Sequence, residues 1–456
     1  YKMNTPVYTL LHRQSEKGHV RFCMPGHKGQ LSCQDITEIG EMDNLLHPGG
    51  ALLQAQTLLA GAYGAGHAWF NTCGSTMGVY ALLFSCAQPG DLILLSSDCH
   101  ISAVNACLLA GYRVALVYAG QDETGLPRPL SYAAARRALA LYPEAKALFL
   151  TSPNYYGVCA EVDKLSELCR NTDTLLLIDA AHGAHFGFSP LLPPQPLAAD
   201  GWVVSAHKTL CVQNQGSMLF TGPHSRMNLA RVEKNIHRFQ TTSPSWPLIA
   251  QMDLARAQLQ KDGEQAYAAL FDRIQRFSAS LCQTGFSIAL PNDGAKDFSR
   301  LVLDTTNTGL SGYEVSQKLD SQGIWIEMAD SRHLVLICTP QDCARDFARL
   351  SNALSQFEKT SSAACAMPTL PVRSEEIFTP AHAEYGTIKA ILLSESKGQI
   401  SGAAVCCYPP GTAIVCPGER ITAAQISYLE QAYLQGASVS GGLEKDGRLY
   451  VYICEE

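Results

Sequence analysis

Apolar runs of β-type residues alternate with helix-patterned stretches through the middle of the chain. Leu92–Ser96, Arg113–Tyr118, Ala147–Thr151, Leu175–Asp179, Trp202–Ala206 and Ser217–Thr221 predict strands. Ile101–Ala110, Ala133–Leu141 and Val162–Arg170 predict helices between them. Near-continuous apolar strands interleaved with helices predict a parallel or mixed sheet covered on both faces. Ligands of such sheets bind beyond the carboxyl ends of the strands. A long helical stretch follows, from about Pro247 to Ser278. A strand at Arg300–Asp304, a helix near Gly312–Gln322 and a strand at His333–Cys338 then predict a smaller α/β domain. Lys359–Pro371 is rich in Ser, Thr, Ala and Pro and reads as a linker. The expected division is an N-terminal segment 1–60, a major domain 61–255, a small α/β domain 256–358 and a C-terminal domain 372–456.

Composition narrows the class. A chain of 456 residues is too long for one hydrophobic core. With 46% hydrophobic and 16% charged residues it is globular rather than disordered. The net charge of -7 and the lack of a dense Lys/Arg run argue against a nucleic-acid partner. No apolar stretch reaches the roughly 18 residues of a membrane-spanning helix, and the first residues carry no signal-peptide pattern. The first residue is not Met, so residues ahead of it are expected. The 17 cysteines include no C-x-x-C pair and read as reduced core thiols of a cytoplasmic protein. Cys406 and Cys407 are expected on opposite faces of one strand. Phosphate-loop, zincin and dinucleotide fingerprints are absent, and the 13 histidines show no zinc-ligand spacing. No bound metal is expected.

Four segments carry candidate chemistry. The apolar strand Leu175–Asp179 ends in a carboxylate followed by Ala180-Ala181-His182-Gly183. Such an Asp commonly just starts a turn. It can also hold a bound pyridine nitrogen protonated, because an opposite charge favours the charged form. The next strand ends in Ser205-Ala206-His207-Lys208-Thr209. Its small, apolar flanks point Lys208 into a cleft, where a partly desolvated amine forms Schiff bases. Ser205 can donate to a phosphate; His207 is as suited to packing as to catalysis. Thr72-Cys73-Gly74-Ser75-Thr76-Met77-Gly78 precedes the helical run Val79–Cys86. It reads either as an anion site or as an ordinary helix cap. His100, closing Ser97-Asp98-Cys99-His100, can lie flat on an aromatic ring or cap a helix. Together the segments supply the parts of a site for pyridoxal 5′-phosphate (PLP), with Lys208 as its Schiff-base lysine and Asp179 serving the electron sink.

In these segments the chain resembles the Orn/Lys/Arg decarboxylases of the aspartate aminotransferase fold, the fold type I PLP enzymes. The likeness rests on Met24-Pro25-Gly26-His27-Lys28-Gly29, Gly74-Ser75-Thr76, Asp98-Cys99-His100, Thr151–Val158, Asp179–Phe186, Ser205–Leu210 and Thr241–Ser245. Tyr408-Pro409-Pro410-Gly411 and Pro417-Gly418-Glu419 extend it to the C-terminal domain. The order is the family's, and the likeness covers nearly the whole chain in the short form, without a wing domain ahead of Met24. It implies a mixed, mostly parallel α/β major domain, a small α/β domain and a C-terminal α+β domain. It also implies that Lys208, Asp179 and His100 are catalytic. Gly74, Ser75, Thr76, Ala181, His182, Ser205 and His207 would join those three in binding PLP. Thr242 and Ser243 would approach the neighbouring subunit's cofactor, making a homodimer, with higher oligomers open. Glu395 would lie near the substrate's distal end. The implied reaction is decarboxylation of lysine, arginine or ornithine; an aminotransferase or a Cα–Cβ lyase is the alternative. Three departures bear on the substrate: Ala180 where the family has an acidic residue, Leu46–Gly49, and Cys211–Gln215 after the lysine.

Overall fold

The computed structural model describes residues 3–123, 125–290, 294–360, 369–371, 376–384, 386–408 and 411–455. In chain order come α1 (Pro6–Glu16), α2 (Ala51–Tyr63), β1 (His67–Asn71) and α3 (Gly74–Cys86). Next are β2 (Leu92–Ser96), α4 (Ile101–Ala110), β3 (Arg113–Val117), α5 (Tyr132–Leu141), β4 (Ala147–Thr151) and α6 (Val162–Asn171). The chain then forms β5 (Leu175–Asp179), β6 (Gly201–Ser205), α7 (Ala206–Thr209), β7 (Ser217–Thr221), α8 (Leu229–Phe239) and α9 (Trp246–Ser280). After these follow β8 (Ser287–Ile288), β9 (Arg300–Asp304), α10 (Gly312–Ser321), β10 (Met328–Ala329), β11 (His333–Ile337) and α11 (Ala344–Leu354). The C-terminal part adds α12 (Pro380–Glu384), β12 (Ile388–Leu392), β13 (Val405–Tyr408), β14 (Thr412–Val415) and α13 (Ala423–Leu434). It ends with β15 (Ser438–Ser440), β16 (Gly442–Lys445) and β17 (Arg448–Cys454). Two compact units result: Tyr1–Cys86 with Leu175–Tyr267, and Ala87–Thr174 with Ala268–Glu456.

In the first unit the strands run in the order β1-β7-β6-β5. β5 and β6 are parallel, whereas β7 is antiparallel to both β6 and β1. Both faces of β6 and β7 are buried, which is why their sequences lack polar alternation. The register sets Asn71 and Ser205 on either side of Ser217, so the ends of β1 and β6 meet at the start of β7. Helix α3 lies close on this sheet because position 78 is glycine. A Cβ there would stand 2.5 Å from Val203 Cγ2 and 3.5 Å from Leu219 Cδ1. Gly78→Ala is therefore expected to cost about 1–3 kcal/mol by overpacking. The readout is a lower thermal unfolding midpoint; an unchanged midpoint would refute the close approach.

Helix α1 is held by its neighbour in space. Its first-turn N–H groups have no partners within the helix. Asp253 on α9 accepts from the N–H of Val7 at 2.9 Å and of Tyr8 at 3.3 Å. Arg256 pairs with Asp253 at 2.6 Å and also donates to the Asn4 carbonyl at 2.5 Å. Both side chains are essentially fully buried, so neither charge is left uncompensated.

In the second unit β4, β2 and β3 form a parallel run in that order, with α4 and α5 as connections. Among β1 to β7, parallel pairs within the two units (β5 with β6, β2 with β3 and with β4) outnumber the antiparallel ones (β7 with β1 and with β6). A small antiparallel sheet follows in the order β10-β11-β9-β8. Two three-stranded antiparallel sheets, β12-β17-β16 and β14-β13-β15, close over a core of Leu393, Val405, Val415, Leu429 and Val451. The C-terminal part reaches back by single bridges, Phe378 to Val114 and Thr412 to His100.

The predicted strands and helices form, with small shifts at their ends. β6 stops at Ser205 because Ala206 already opens α7. Helix α3 begins at Gly74 rather than near Val79, which puts Ser75 and Thr76 inside its first turn. β1 escapes the pattern because it is short and mixes His, Trp and Asn with apolar residues. The expectation of core thiols needs correction: Cys33, Cys211, Cys282 and Cys343 are exposed, while Cys99, Cys107, Cys169 and Cys338 are buried. Pro409, Pro410 and most of the linker Lys359–Pro371 lie outside the described residues. Among the described residues no helix is long and apolar enough to cross a membrane.

Candidate active site

The lysine is placed by a short turn. After β6 the chain makes the single turn α7, closed by Leu210 N–H donating to the Ala206 carbonyl at 2.8 Å. His207 pins this turn, because its backbone N–H and its Nδ1 both reach the Gly216 carbonyl, at 3.2 and 2.8 Å. A carbonyl only accepts, so Nδ1 carries the hydrogen. Burial lowers the His207 pKa below 6.5; the Gly216 bond opposes this and the Lys208 charge adds to it. The ring is therefore neutral near pH 7. Lys208 is half-buried, with Nζ 3.1 Å from His182 Nε2. An ammonium only donates, so His182 Nε2 is the acceptor. His182 itself is buried.

Asp179 ends β5, beside β6 and in parallel register with it. It is 5% exposed. Its Oδ1 accepts from Ala181 N–H at 3.0 Å. Among the described residues that is the one hydrogen bond to this carboxylate, and Oδ2 remains available to a donor. Ala180 beside it is buried and supplies no second carboxylate.

The start of α3 supplies hydroxyls. Ser205, fully buried, donates from Oγ to Ser75 Oγ at 2.9 Å. Gly74 takes a positive φ of 75°, and a Cβ there would meet nothing within 4 Å. Ser75 is half-buried and Thr76 exposed, so a helix N-terminus, a glycine and two hydroxyls face open space. Asn71, which the sequence did not flag, organises this corner. Its Nδ2 donates to the Gly74 carbonyl at 2.6 Å and to Ser217 Oγ at 2.7 Å, and its Oδ1 accepts from Cys73 N–H at 2.8 Å. The available signal was an Asn standing immediately ahead of Thr72–Gly78. Thr242 and Ser243 are exposed on the turn before α9. That turn is tied to the α3 approach by Gln240 Nε2 donating to Thr72 Oγ1 at 2.8 Å.

Two predicted residues belong to the second unit. His100 is half-buried at the N-terminus of α4, where Nδ1 accepts from Ser102 N–H at 3.2 Å. It is thus a helix cap, with the ring held by that bond. Glu395 is exposed on the turn after β12. Among the described residues no group of three or more His, Cys, Asp or Glu is placed to hold a metal.

Comparison with known proteins gives a consistent result. The family model for the Orn/Lys/Arg decarboxylase major domain matches residues 29–289, and that for the Orn/Lys/Arg decarboxylase C-terminal domain matches residues 360–446. An arginine decarboxylase of Bacillus subtilis is 30% identical over 470 aligned positions, covering 96% of this chain and 95% of its own. The lysine decarboxylase of Francisella novicida superposes with a TM-score of 0.85 at 18% identity, over 99% of this chain and 81% of that one. A structure of SPT with PLP superposes at 0.52 and 14% identity, over 67% of this chain and 75% of that one. The last two share the fold.

Proposed function

The chain belongs to the Orn/Lys/Arg decarboxylase family and is an amino-acid decarboxylase, and from that premise we propose that it removes the α-carboxylate of a basic amino acid with PLP held at Lys208. The observation that carries the reading is the half-buried Lys208 amine, donating to the neutral acceptor His182 Nε2 at the end of β6. A lysine meant only for the surface would not be turned inward onto a buried imidazole.

The residues present fit the cofactor. Asp179 keeps an unspent Oδ2 in a buried setting, where a carboxylate favours a protonated pyridine nitrogen. Ser75, Thr76 and Ser205, with the open N-terminus at Gly74, suit a phosphate. Ala181 lies between Asp179 and His182, the lysine's partner, and neutral His207 sits beside Lys208. His100, oriented by its cap bond, offers a flat ring face. PLP, when bound, supplies a pyridinium that takes up the electrons left at Cα as CO₂ departs. The protein's own tasks are to present the Lys208 amine, to hold a positive charge on the ring nitrogen through Asp179, and to return a proton to Cα from Lys208 or His100. Thr242 and Ser243 are assigned to the partner subunit's cofactor, which makes a homodimer the working form.

Full-length likeness to an arginine decarboxylase makes arginine the first substrate to test, ahead of lysine and ornithine. With PLP present, CO₂ release is expected from at least one of the three. Release from none, with the cofactor bound, would overturn the reading. Amino transfer to an added 2-oxo acid would replace it with the aminotransferase alternative.

A further inference from the structure

The chain enters α3 through residues 71–74, each held by a hydrogen bond whose partner also lies in the first unit. Asn71 ends β1 and is almost completely buried. Its Oδ1 accepts from Cys73 N–H at 2.8 Å. Its Nδ2 donates to the Gly74 carbonyl at 2.6 Å and to Ser217 Oγ at 2.7 Å. Both amide hydrogens are used in this way, so the carboxamide has a single orientation. Thr72 Oγ1 accepts from Gln240 Nε2 at 2.8 Å, and Gly74 N–H donates to the Gln215 carbonyl at 3.0 Å.

The bond to Gly74 also aims the next N–H. A trans peptide points its C=O and its N–H in opposite directions. By taking the Gly74 carbonyl, Asn71 turns the Ser75 N–H away from itself. The N–H groups of Ser75 and Thr76 have no acceptor among the described residues, as befits the first turn of a helix. Ser75 Oγ stands beside them, 2.9 Å from Ser205 Oγ. Asn71 and Ser205 both pair with the fully buried Ser217 in the strand register. One connected frame therefore runs from Asn71 through Ser217 and Ser205 to Ser75. Among the described residues no Lys or Arg joins these bonds. An anion at this turn is held by the helix dipole and by oriented N–H and O–H donors. Such donors weaken steeply when they are misaligned.

We propose that Asn71 sets the phosphate affinity of this turn, by aiming the Ser75 N–H and bracing the frame that carries the Ser75 and Ser205 hydroxyls; this rests on the PLP reading above. Asn71 is a positioning residue, acting through Gly74 and Ser75. Its influence is confined to the phosphate end of the ligand.

The test uses the whole chain freed of cofactor and compares wild type with Asn71→Ala, Asn71→Asp and Ser217→Ala. Three ligands are titrated: PLP, pyridoxal, which lacks the phosphate, and inorganic phosphate. PLP and pyridoxal are followed by the visible absorbance of the lysine linkage, and phosphate by calorimetry. Asn71→Ala removes every bond of the side chain. Its Kd for PLP is expected to rise roughly 10- to 100-fold, with the Kd for pyridoxal within about threefold of wild type. Asn71→Asp keeps the acceptor for Cys73 N–H but sets a carboxylate oxygen against the Gly74 carbonyl, and should lose at least as much PLP affinity. Ser217→Ala removes one anchor of the Asn71 amide and should weaken PLP several-fold. Unchanged PLP affinity in Asn71→Ala would overturn the proposal, as would an equal loss for pyridoxal, the mark of general disorder. Should Asn71→Ala not fold, Ser217→Ala decides in its place, and an unchanged ratio of its PLP and pyridoxal Kd values overturns the proposal. Failure of the PLP reading is seen separately, as a wild type that binds no PLP. The phosphate titration then decides on Asn71 alone: equal phosphate affinity in wild type and Asn71→Ala, or none in either, overturns it.

Discussion

Lys208→Ala is expected to lower decarboxylation by a factor on the order of 10⁴ and to abolish the visible absorbance of lysine-bound PLP. Both effects come from one amine. The turn α7 and the two His207 contacts with Gly216 fix the backbone around position 208, independently of the lysine side chain. The variant should therefore fold, with an unfolding midpoint close to that of the wild type. Only the amine facing His182 is lost. Added PLP should still associate through the α3 N-terminus and the Ser75–Ser205 hydroxyls, but without the absorbance of a lysine linkage. Full activity in this variant would remove Lys208 from the reaction. A wild type without that absorbance under saturating PLP would point instead to a non-catalytic relative of the family.

Asp179→Ala is expected to leave PLP bound and visible while lowering kcat by roughly 10²- to 10³-fold. Asp179 is almost completely buried, and a negative charge in that setting acts strongly on a ring nitrogen placed against it. Without it the ring nitrogen loses its proton more readily, and the cofactor accepts electrons from Cα less well. The loss of the Ala181 N–H bond is a smaller effect on local order. Asp179→Glu keeps the charge but lengthens the arm, and should recover part of the rate. The two variants are read by single-turnover CO₂ release together with the cofactor's absorbance spectrum. A kcat within threefold of wild type for Asp179→Ala would show that the ring nitrogen is served by another group.

Much of this site lies within reach of sequence because the strands that present it are buried on both faces. Leu175–Asp179 reads as an uninterrupted apolar run, so the carboxylate at its end stands out. Lys208 stands out in the same way, since its small and apolar neighbours do not belong to a solvated surface. The proline, glycine and hydroxyl residues of the family's segments could be read for the same reason: each serves a local backbone need. What escapes is what depends on distant contact. Asn71 acquires its role only when β1 and β7 align it with Ser217. β1 is hidden because its partner β7 comes much later in the chain, and antiparallel pairing at that separation leaves no turn signal between them. The C-terminal strands are short and half-exposed, so their polar alternation is weak.

The single backbone bridge between His100 and Thr412, reinforced by Ile101 N–H donating to the Gly411 carbonyl at 3.2 Å, also constrains how such chains can be inherited. Main-chain pairing is blind to side-chain identity but strict about spacing. The tail can therefore drift far in sequence, provided that the peptide near Thr412 still arrives beside the cap of α4. Recombination that exchanged this tail for one with a loop a residue longer or shorter would break that rung, although every side chain named for chemistry remained in place. Within the lineage, loop length near position 411 should thus be held at least as tightly as residue identity there.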